Sequence, residues 1–131
     1  MSTNPISKLD AHESWELLSG VRLGRVASHK SAQPDLHPVS YVVHAGKIYF
    51  RTGDGSRLLN EVDGAAVAFE AAWQEVDNAW SVVALGTARA VAADERHALD
   101  ALPILDFAGS IDDVWVEITP TELRGRRFNL L

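Results

Sequence analysis

The spacing of hydrophobic and polar positions changes near residue 20, and this change separates a helix from a strand. Asp10 and Glu13 form a capping-box pattern ahead of apolar positions at helical spacing, which predicts a short amphipathic helix over residues 10–19. Gly20 provides a suitable end for it. From Val21 onward the apolar positions alternate with a period of two, so the next segment is predicted to be a strand.

Five further strands are predicted from runs rich in β-branched and aromatic residues that are bounded by turn residues. They cover residues 38–44, 47–52, 65–72, 80–92 and 114–119. Pro120 is expected to stop the last strand, because proline cannot donate a ladder hydrogen bond. Two more short helices are predicted, one over residues 56–62 and one over 94–102 that ends before Pro103.

The connections between these elements are mostly too short for parallel crossovers, so neighbouring strands are expected to be antiparallel. Six short strands with two or three short helices favour an antiparallel β-barrel with helical decoration. A stack of βαβ units remains the alternative. With 131 residues and no linker or repeat, the chain is predicted to form a single domain over residues 1–131.

Composition narrows the possible chemistry. The sequence has no cysteine, which excludes disulfides, cysteine-ligated zinc, iron–sulfur clusters and a thiol nucleophile, and suits a reducing cytoplasm. No apolar run approaches the roughly 20 residues of a membrane helix, and the opening residues lack the apolar core of a signal peptide. The net charge of −6 disfavours nucleic acid. We therefore expect a soluble cytoplasmic protein that binds neither nucleic acid nor membrane.

One segment combines features of an anion-binding site. Residues 51–57 leave a predicted strand, turn through Gly53 and Gly55 and enter a short helix, and they carry two arginines and two hydroxyls. Glycines let the backbone approach a ligand, and guanidinium groups bind phosphate oxygens. The alternative is an ordinary strand-to-helix turn in which Ser56 caps the helix and both arginines are solvated.

Other arrangements of reactive residues are weaker. A dinucleotide-binding interpretation of Gly53-x-Gly55, with Glu70 as a ribose contact, lacks a third glycine because Leu58 stands there. His37 and His44 lie seven residues apart on one strand and face opposite sides, so they cannot share a metal. No metal site, nucleophile elbow or acid/base pair emerges, and the catalytic residues remain unknown.

The order of several segments resembles the pyridoxamine 5′-phosphate oxidase-like family of FMN-binding split barrels, in particular a short member of actinobacterial type. The segments are GRVA at 24–27, HPVSYVV at 37–43, GKIYFRTGDGSRL at 46–58 and WSVV at 80–83. Together they cover nearly the whole chain. The resemblance implies a six-stranded antiparallel split β-barrel that forms a homodimer, with flavin in two clefts at the subunit interface.

The resemblance also implies which residues contact the cofactor. The strand residues at the ring cradle are Val39, Ser40 and Tyr41. The phosphate-binding positions correspond to Arg51, Thr52, Ser56 and Arg57, and those for ring contacts across the cleft, often from the partner subunit, to Trp80 and Ser81. FMN is the implied cofactor, with the deazaflavin coenzyme as the alternative.

The implied function is a flavin-dependent oxidoreductase that acts on a small molecule. The arginine-containing ending that grips the vitamin phosphate in true pyridoxamine phosphate oxidases is absent, so vitamin B6 oxidation is not implied. The alternatives are a deazaflavin-dependent reductase or a non-catalytic flavin or haem carrier or sensor. A dimer would also cover apolar faces expected around Trp80 and Val82. The arginines at 124, 126 and 127 are expected to meet solvent or the dimer rim.

Overall fold

A computed structural model describes residues 4–105 and 114–130. The described residues form seven strands, two α-helices and one 3₁₀ helix. The strands are β1 (Ile6–Leu9), β2 (Leu23–Ser28), β3 (Asp35–His44), β4 (Lys47–Thr52), β5 (Ala66–Gln74), β6 (Asn78–Ala90) and β7 (Val114–Asn129). The helices are α1 (Ala11–Ser19), α2 (Arg57–Val62) and the 3₁₀ helix Ala93–Ala98.

Six of the strands close into an antiparallel barrel. Their order around it is β7-β4-β3-β2-β5-β6, and pairing of β6 with β7 completes the ring. The seventh strand, β1, pairs with the far end of β7 and lies outside the ring. The predicted six-stranded antiparallel barrel is therefore confirmed, with one additional strand. Closure leaves the ring itself without a free edge, which protects it from pairing with other chains.

The prediction that Pro120 ends the last strand is wrong. β7 passes through Pro120 and continues to Asn129, because the register shifts opposite Leu85 and Gly86 and places the proline at an irregularity of the ladder. At Gly86 an added Cβ would lie 2.2 Å from the carbonyl oxygen of Thr119, so only glycine permits this approach. The longer strand provides the edge on which β1 pairs.

The two α-helices begin at the predicted caps. Ser56 caps α2, and its hydroxyl accepts a hydrogen bond from the Leu59 amide. Asp10 likewise caps α1 by accepting from the amide of Glu13 at 2.8 Å. The segment predicted as a helix over 94–102 is instead a 3₁₀ helix that ends at Ala98. Among the described residues, no helix combines the length and apolarity that a membrane crossing requires.

The core has two parts on opposite sides of the barrel wall. The larger part fills the interior, where Phe50, Phe69 and Ile118 are fully buried. The smaller part lies outside the wall, where the segment after β6 packs over Tyr49 and Trp115. Strands β4 and β7 are thus covered on both faces near their pairing, which explains why their sequences are apolar at successive positions.

Candidate functional site

The segment 51–57 forms a compact turn between β4 and α2. The hydroxyls of Thr52 and Ser56 lie 2.8 Å apart, and the amide of Ser56 donates to the carbonyl of Gly53 at 3.1 Å. Gly55 has a φ of +72° and no atom within 4 Å of the place where a Cβ would stand. The turn is therefore held by its own hydrogen bonds and leaves open space above Gly55.

The hydroxyl pair of Thr52 and Ser56 has one hydrogen to offer a ligand. The Ser56 oxygen accepts from the Leu59 amide, and one of the two hydroxyls donates to the other. Each hydroxyl carries a single hydrogen, so one hydroxyl hydrogen of the pair remains after this exchange. It can be donated to an acceptor outside the pair, such as a phosphate oxygen.

Arg57 lies at the start of α2 and is three-quarters exposed. Its Nη2 is 3.0 Å from Oδ2 of Asp35, the first residue of β3. An exposed ion pair of this kind contributes little to stability, about 0–1 kcal/mol. The guanidinium is therefore held near the turn. An anion could replace Asp35 at the guanidinium, or bind beside it, at a small cost in free energy.

Arg51 lies on the outer face of the barrel wall. Its guanidinium carbon is 5.3 Å from the ring centroid of Trp115, its partner residue on β7. The indole nitrogen of Trp115 donates to Asp100 at 2.9 Å, and this bond, with the nearby Arg96 and Arg51, holds the pKa of Asp100 below its ordinary value. Arg51 thus lies over the Trp115 ring and near the Asp100 carboxylate, while Thr52 projects to the opposite side of the same strand.

The three predicted ring-cradle residues of β3 do not face the same way. The side chains of Val39 and Tyr41 are buried in the interior core, and the Tyr41 hydroxyl donates to the carbonyl of Leu18 at 2.6 Å. Ser40 faces outward, as does Arg51, which occupies the corresponding position on β4. The Ser40 hydroxyl is buried and has no hydrogen-bond partner among residues 4–105 and 114–130. Of the three side chains, only that of Ser40 is presented on the outer face.

Trp80 and Ser81 lie far from the turn along the strands of one chain. Trp80 pairs with Arg127 near the end of β7, whereas Arg51 pairs with Trp115 near its beginning. Trp80 is 3% exposed and belongs to the interior core, and Ser81 faces the other side of β6. The structure therefore brings Thr52, Ser56 and Arg57 together, with Arg51 adjacent, but does not bring Trp80 or Ser81 to them within one chain.

A buried carboxylate occupies the outer face next to this strip. Glu117 accepts hydrogen bonds from Tyr49 at 2.9 Å, Arg89 at 3.0 Å and Lys47 at 3.3 Å. Burial alone would raise the pKa of Glu117, but these donors outweigh it and hold the pKa below its ordinary value. Burial, together with the Glu117 carboxylate, raises the pKa of Tyr49 to about 12. This group is an ionised, fully paired cluster and a poor proton donor at neutral pH.

Sequence reasoning did not find the partners of Arg51. Trp115 was visible only as a strand aromatic, and Asp100 lies in a segment predicted to be helical. The alternation of 114–118 signals that Trp115 and Glu117 share one face, but which residues lie opposite them depends on the β4–β7 pairing. Within residues 4–105 and 114–130, no group of histidine and acidic side chains could hold a metal ion.

The six strands form a split barrel, and a comparison with protein families agrees with this fold. The pyridoxamine 5′-phosphate oxidase family matches residues 10–127, which is most of the chain. The chain therefore belongs to this family, and the resemblance seen in the sequence is confirmed.

Several similar proteins come from actinobacteria. A Corynebacterium glutamicum structure, provisionally assigned as a pyridoxamine 5′-phosphate oxidase, is 35% identical, with a TM-score of 0.89 over 100% of this chain and 98% of that one. The structure of the FAD binding protein from Mycobacterium smegmatis is 34% identical, with a TM-score of 0.82 over 94% and 98%. The uncharacterised protein Rv0080 of Mycobacterium tuberculosis is 30% identical over 96% of this chain and 88% of its own.

Proposed function

We propose that this chain is a flavin-dependent oxidoreductase that holds a phosphorylated flavin against the outer face of β3 around Ser40, with the phosphate at the turn 51–57. The observation that carries the proposal is the buried, unpaired hydroxyl of Ser40 on the same face as Arg51. Leaving such a hydroxyl without a partner costs about 1–3 kcal/mol. The polar edge of a flavin ring would supply that partner, and the Mycobacterium smegmatis relative is named for binding FAD.

The turn fits the phosphate end of the cofactor. Arg51 and Arg57 flank it, and the Thr52–Ser56 pair has one hydroxyl hydrogen to donate. FMN is the smallest flavin that would use all of these groups. FAD carries the same first phosphate, and the Mycobacterium smegmatis relative is named for binding FAD. A deazaflavin coenzyme is the alternative with equivalent phosphate chemistry.

A bound flavin supplies hydride or electron transfer, so the chain needs to position it and to shape its electrostatic surroundings. Ser40 would fix the orientation of the ring, and Arg51 and Arg57 would neutralise the phosphate. The Tyr49–Glu117 pair lies nearby but is committed to its own hydrogen bonds. Support for turnover over simple carriage comes from the family alone, and haem or flavin carriage remains the competing function.

We further propose that the protein is a homodimer. The faces around Trp80 and Val82 that suggested a dimer do not support it, because both side chains are buried in the interior core. The support comes instead from β2 and β3, whose outer faces carry Leu23 and Leu36 at 54% and 58% exposure. A second subunit against this face would cover these side chains and lie beside Ser40, the Cα partner of Leu23.

The test is a binding titration of FMN, FAD and deazaflavin with the native protein and an Arg51→Ala/Arg57→Ala variant. Each charge-assisted hydrogen bond is worth about 1.5–3 kcal/mol, so the double variant should lose roughly a hundredfold or more in affinity. The control is Arg124→Ala, an exposed arginine paired with Glu122 at the other end of β7. Unchanged affinity in the double variant would reject the assignment of the turn.

A second measurement separates enzyme from carrier. Reduced FMN is mixed with a quinone acceptor in the presence and absence of the protein, and flavin reoxidation is followed by absorbance. An enzyme accelerates the transfer over free flavin, whereas a carrier does not. Light scattering at micromolar concentration then tests the dimer, because a monomeric mass would contradict a cleft shared by two subunits.

A further inference from the structure

A cavity of about 540 Å³ opens where α1 ends and β2 begins. Its walls are formed by Leu17, Val21, Leu23, Trp73 and Trp80. This volume lies within the range of small-molecule sites, which are concave and mostly apolar. The cavity is separate from the turn 51–57 and has no role in the proposed phosphate site.

Exposed apolar side chains are concentrated around this cavity. Trp73 and Leu105 line it and are 58% and 43% exposed, and Leu23 at its edge, which is 54% exposed, lies on the face proposed for the second subunit. Single exposed apolar residues are ordinary, but a group of them around one concave surface indicates a binding site. Trp73 and Trp80 are cross-strand partners on β5 and β6, with Trp80 buried and Trp73 open to solvent. The cavity thus offers an indole wall on which a flat ring can stack.

Charges of both signs line the cavity. Glu16 and Glu75 contribute carboxylates, and Arg22 contributes a guanidinium whose side chain makes no hydrogen bond or ion pair with the described residues. The two carboxylates outnumber the single guanidinium, so the rim repels an anionic ligand. Arg22 adds a hydrogen-bond donor, so the rim suits a ring without negative charge whose oxygen acceptor can reach the guanidinium.

The cavity adjoins the face proposed to hold the flavin. Leu23 lines the cavity and is the Cα partner of Ser40, so the two sites share an edge of the β2–β3 pair. We infer that this cavity binds a planar, uncharged aromatic molecule with carbonyl oxygens, of the quinone class. That such a molecule is the electron acceptor rests on the proposed function, whereas its binding does not.

The experiment titrates 2-methyl-1,4-naphthoquinone into the flavin-free protein by calorimetry. The chain has no cysteine, so thiol addition to the quinone cannot imitate binding. Trp73→Ala should weaken binding roughly tenfold, through lost stacking and apolar contact. Arg22→Gln should weaken it about threefold, through one lost hydrogen bond. Trp73→Phe, which keeps a flat ring, should retain most of the affinity.

The matched control is Val76→Ala. Val76 lies three residues after Trp73, is 96% exposed and is not among the residues that line the cavity. This variant should bind the naphthoquinone as the native protein does. Equal affinities for Trp73→Ala and Val76→Ala would overturn the inference.

A negatively charged quinone provides a further test of the ligand class. The anionic probe 1,4-naphthoquinone-2-sulfonate should bind less tightly than the neutral quinone, and Glu75→Gln should recover part of the loss by removing a repelling carboxylate. An anionic probe that binds more tightly than the neutral quinone would contradict the proposed ligand class.

Two further measurements distinguish a ligand site from a subunit contact and from the flavin site. Sedimentation of the native protein and Trp73→Ala tests whether a second copy fills the cavity, and a dimer that becomes monomeric only in Trp73→Ala would overturn the inference. FMN titration of the same proteins tests the proposed function independently. If the native protein binds the naphthoquinone but no flavin, the proposed function fails and the binding site stands.

Discussion

Two polar side chains on the outer face of the barrel differ sharply in how they are satisfied. Glu117 on β7 and Ser40 on β3 are almost equally buried, at 6% and 7% exposure. Glu117 receives hydrogen bonds from three side chains of its own chain. The Ser40 hydroxyl has no such partner in the part of the chain that the structure describes. The same wall of the barrel therefore contains one polar group whose hydrogen bonds are made within the folded chain and one whose hydrogen bonds are not.

This difference distinguishes a structural polar group from one available to a ligand. Buried polar groups in proteins are almost always paired, and a buried charge without partners would be too costly to keep. Leaving one buried hydroxyl unpaired costs less free energy than leaving a buried charge unpaired. Ser40 can therefore remain available for a hydrogen bond to a ligand. The cluster around Glu117 fixes the wall, and Ser40 presents an open hydrogen-bonding position on it.

The largest expected effect concerns Glu117, whose hydrogen bonds are made within the folded chain. Glu117→Ala leaves the buried Tyr49 hydroxyl without its acceptor and removes the carboxylate shared by the half-exposed Arg89 and Lys47, and should lower the free energy of unfolding by about 2–4 kcal/mol. Urea denaturation measures this. The control is Glu95→Ala, which removes the exposed partner of the same Arg89 and should cost less than about 1 kcal/mol. Equal losses in the two variants would show that burial of Glu117 does not matter.

The next prediction concerns Ser40, whose buried hydroxyl is unpaired among the described residues. Ser40→Ala should leave the flavin-free protein as stable or more stable, by up to about 1 kcal/mol, because it removes an unpaired buried hydroxyl. The same change should weaken flavin binding by up to roughly tenfold. Thermal unfolding with and without FMN measures both. Ser14→Ala is the matched control, since Ser14 is also buried and unpaired but packs against Gly125, and it should not change flavin affinity.

The smallest effect concerns pH. The pKa of Glu117 in the folded protein lies below its ordinary value of 4.5, so the unfolded chain binds the proton first as the pH falls. The stability contributed by Glu117 is therefore complete at neutral pH and declines below about pH 5. Urea unfolding between pH 7 and pH 3 should show a shallower acid decline for Glu117→Gln than for the native protein. Parallel curves would assign the decline to other carboxylates.

Local signals along the chain were enough for most elements. The boundaries of β4 matched the predicted 47–52, and the caps of α1 and α2 are formed by Asp10 and Ser56 as their spacing indicates. The prediction ended the last strand before Pro120, whereas β7 continues through it. The irregularity that accommodates the proline depends on Gly86, which lies opposite on another strand. β1 was missed for the same reason, because four residues become a strand only when a partner edge exists.

The amino-acid sequence by itself determined the turn 51–57, because its glycines, hydroxyls and arginines are neighbours along the chain and act over a few ångströms. Only the tertiary structure decided that Ser40 has no partner among the described residues, that Arg51 lies over Trp115 and that Trp80 lines a separate cavity. These relations depend on which strands pair and on which side of the wall each side chain falls. Strand alternation can assign faces, but it cannot say what lies across from them.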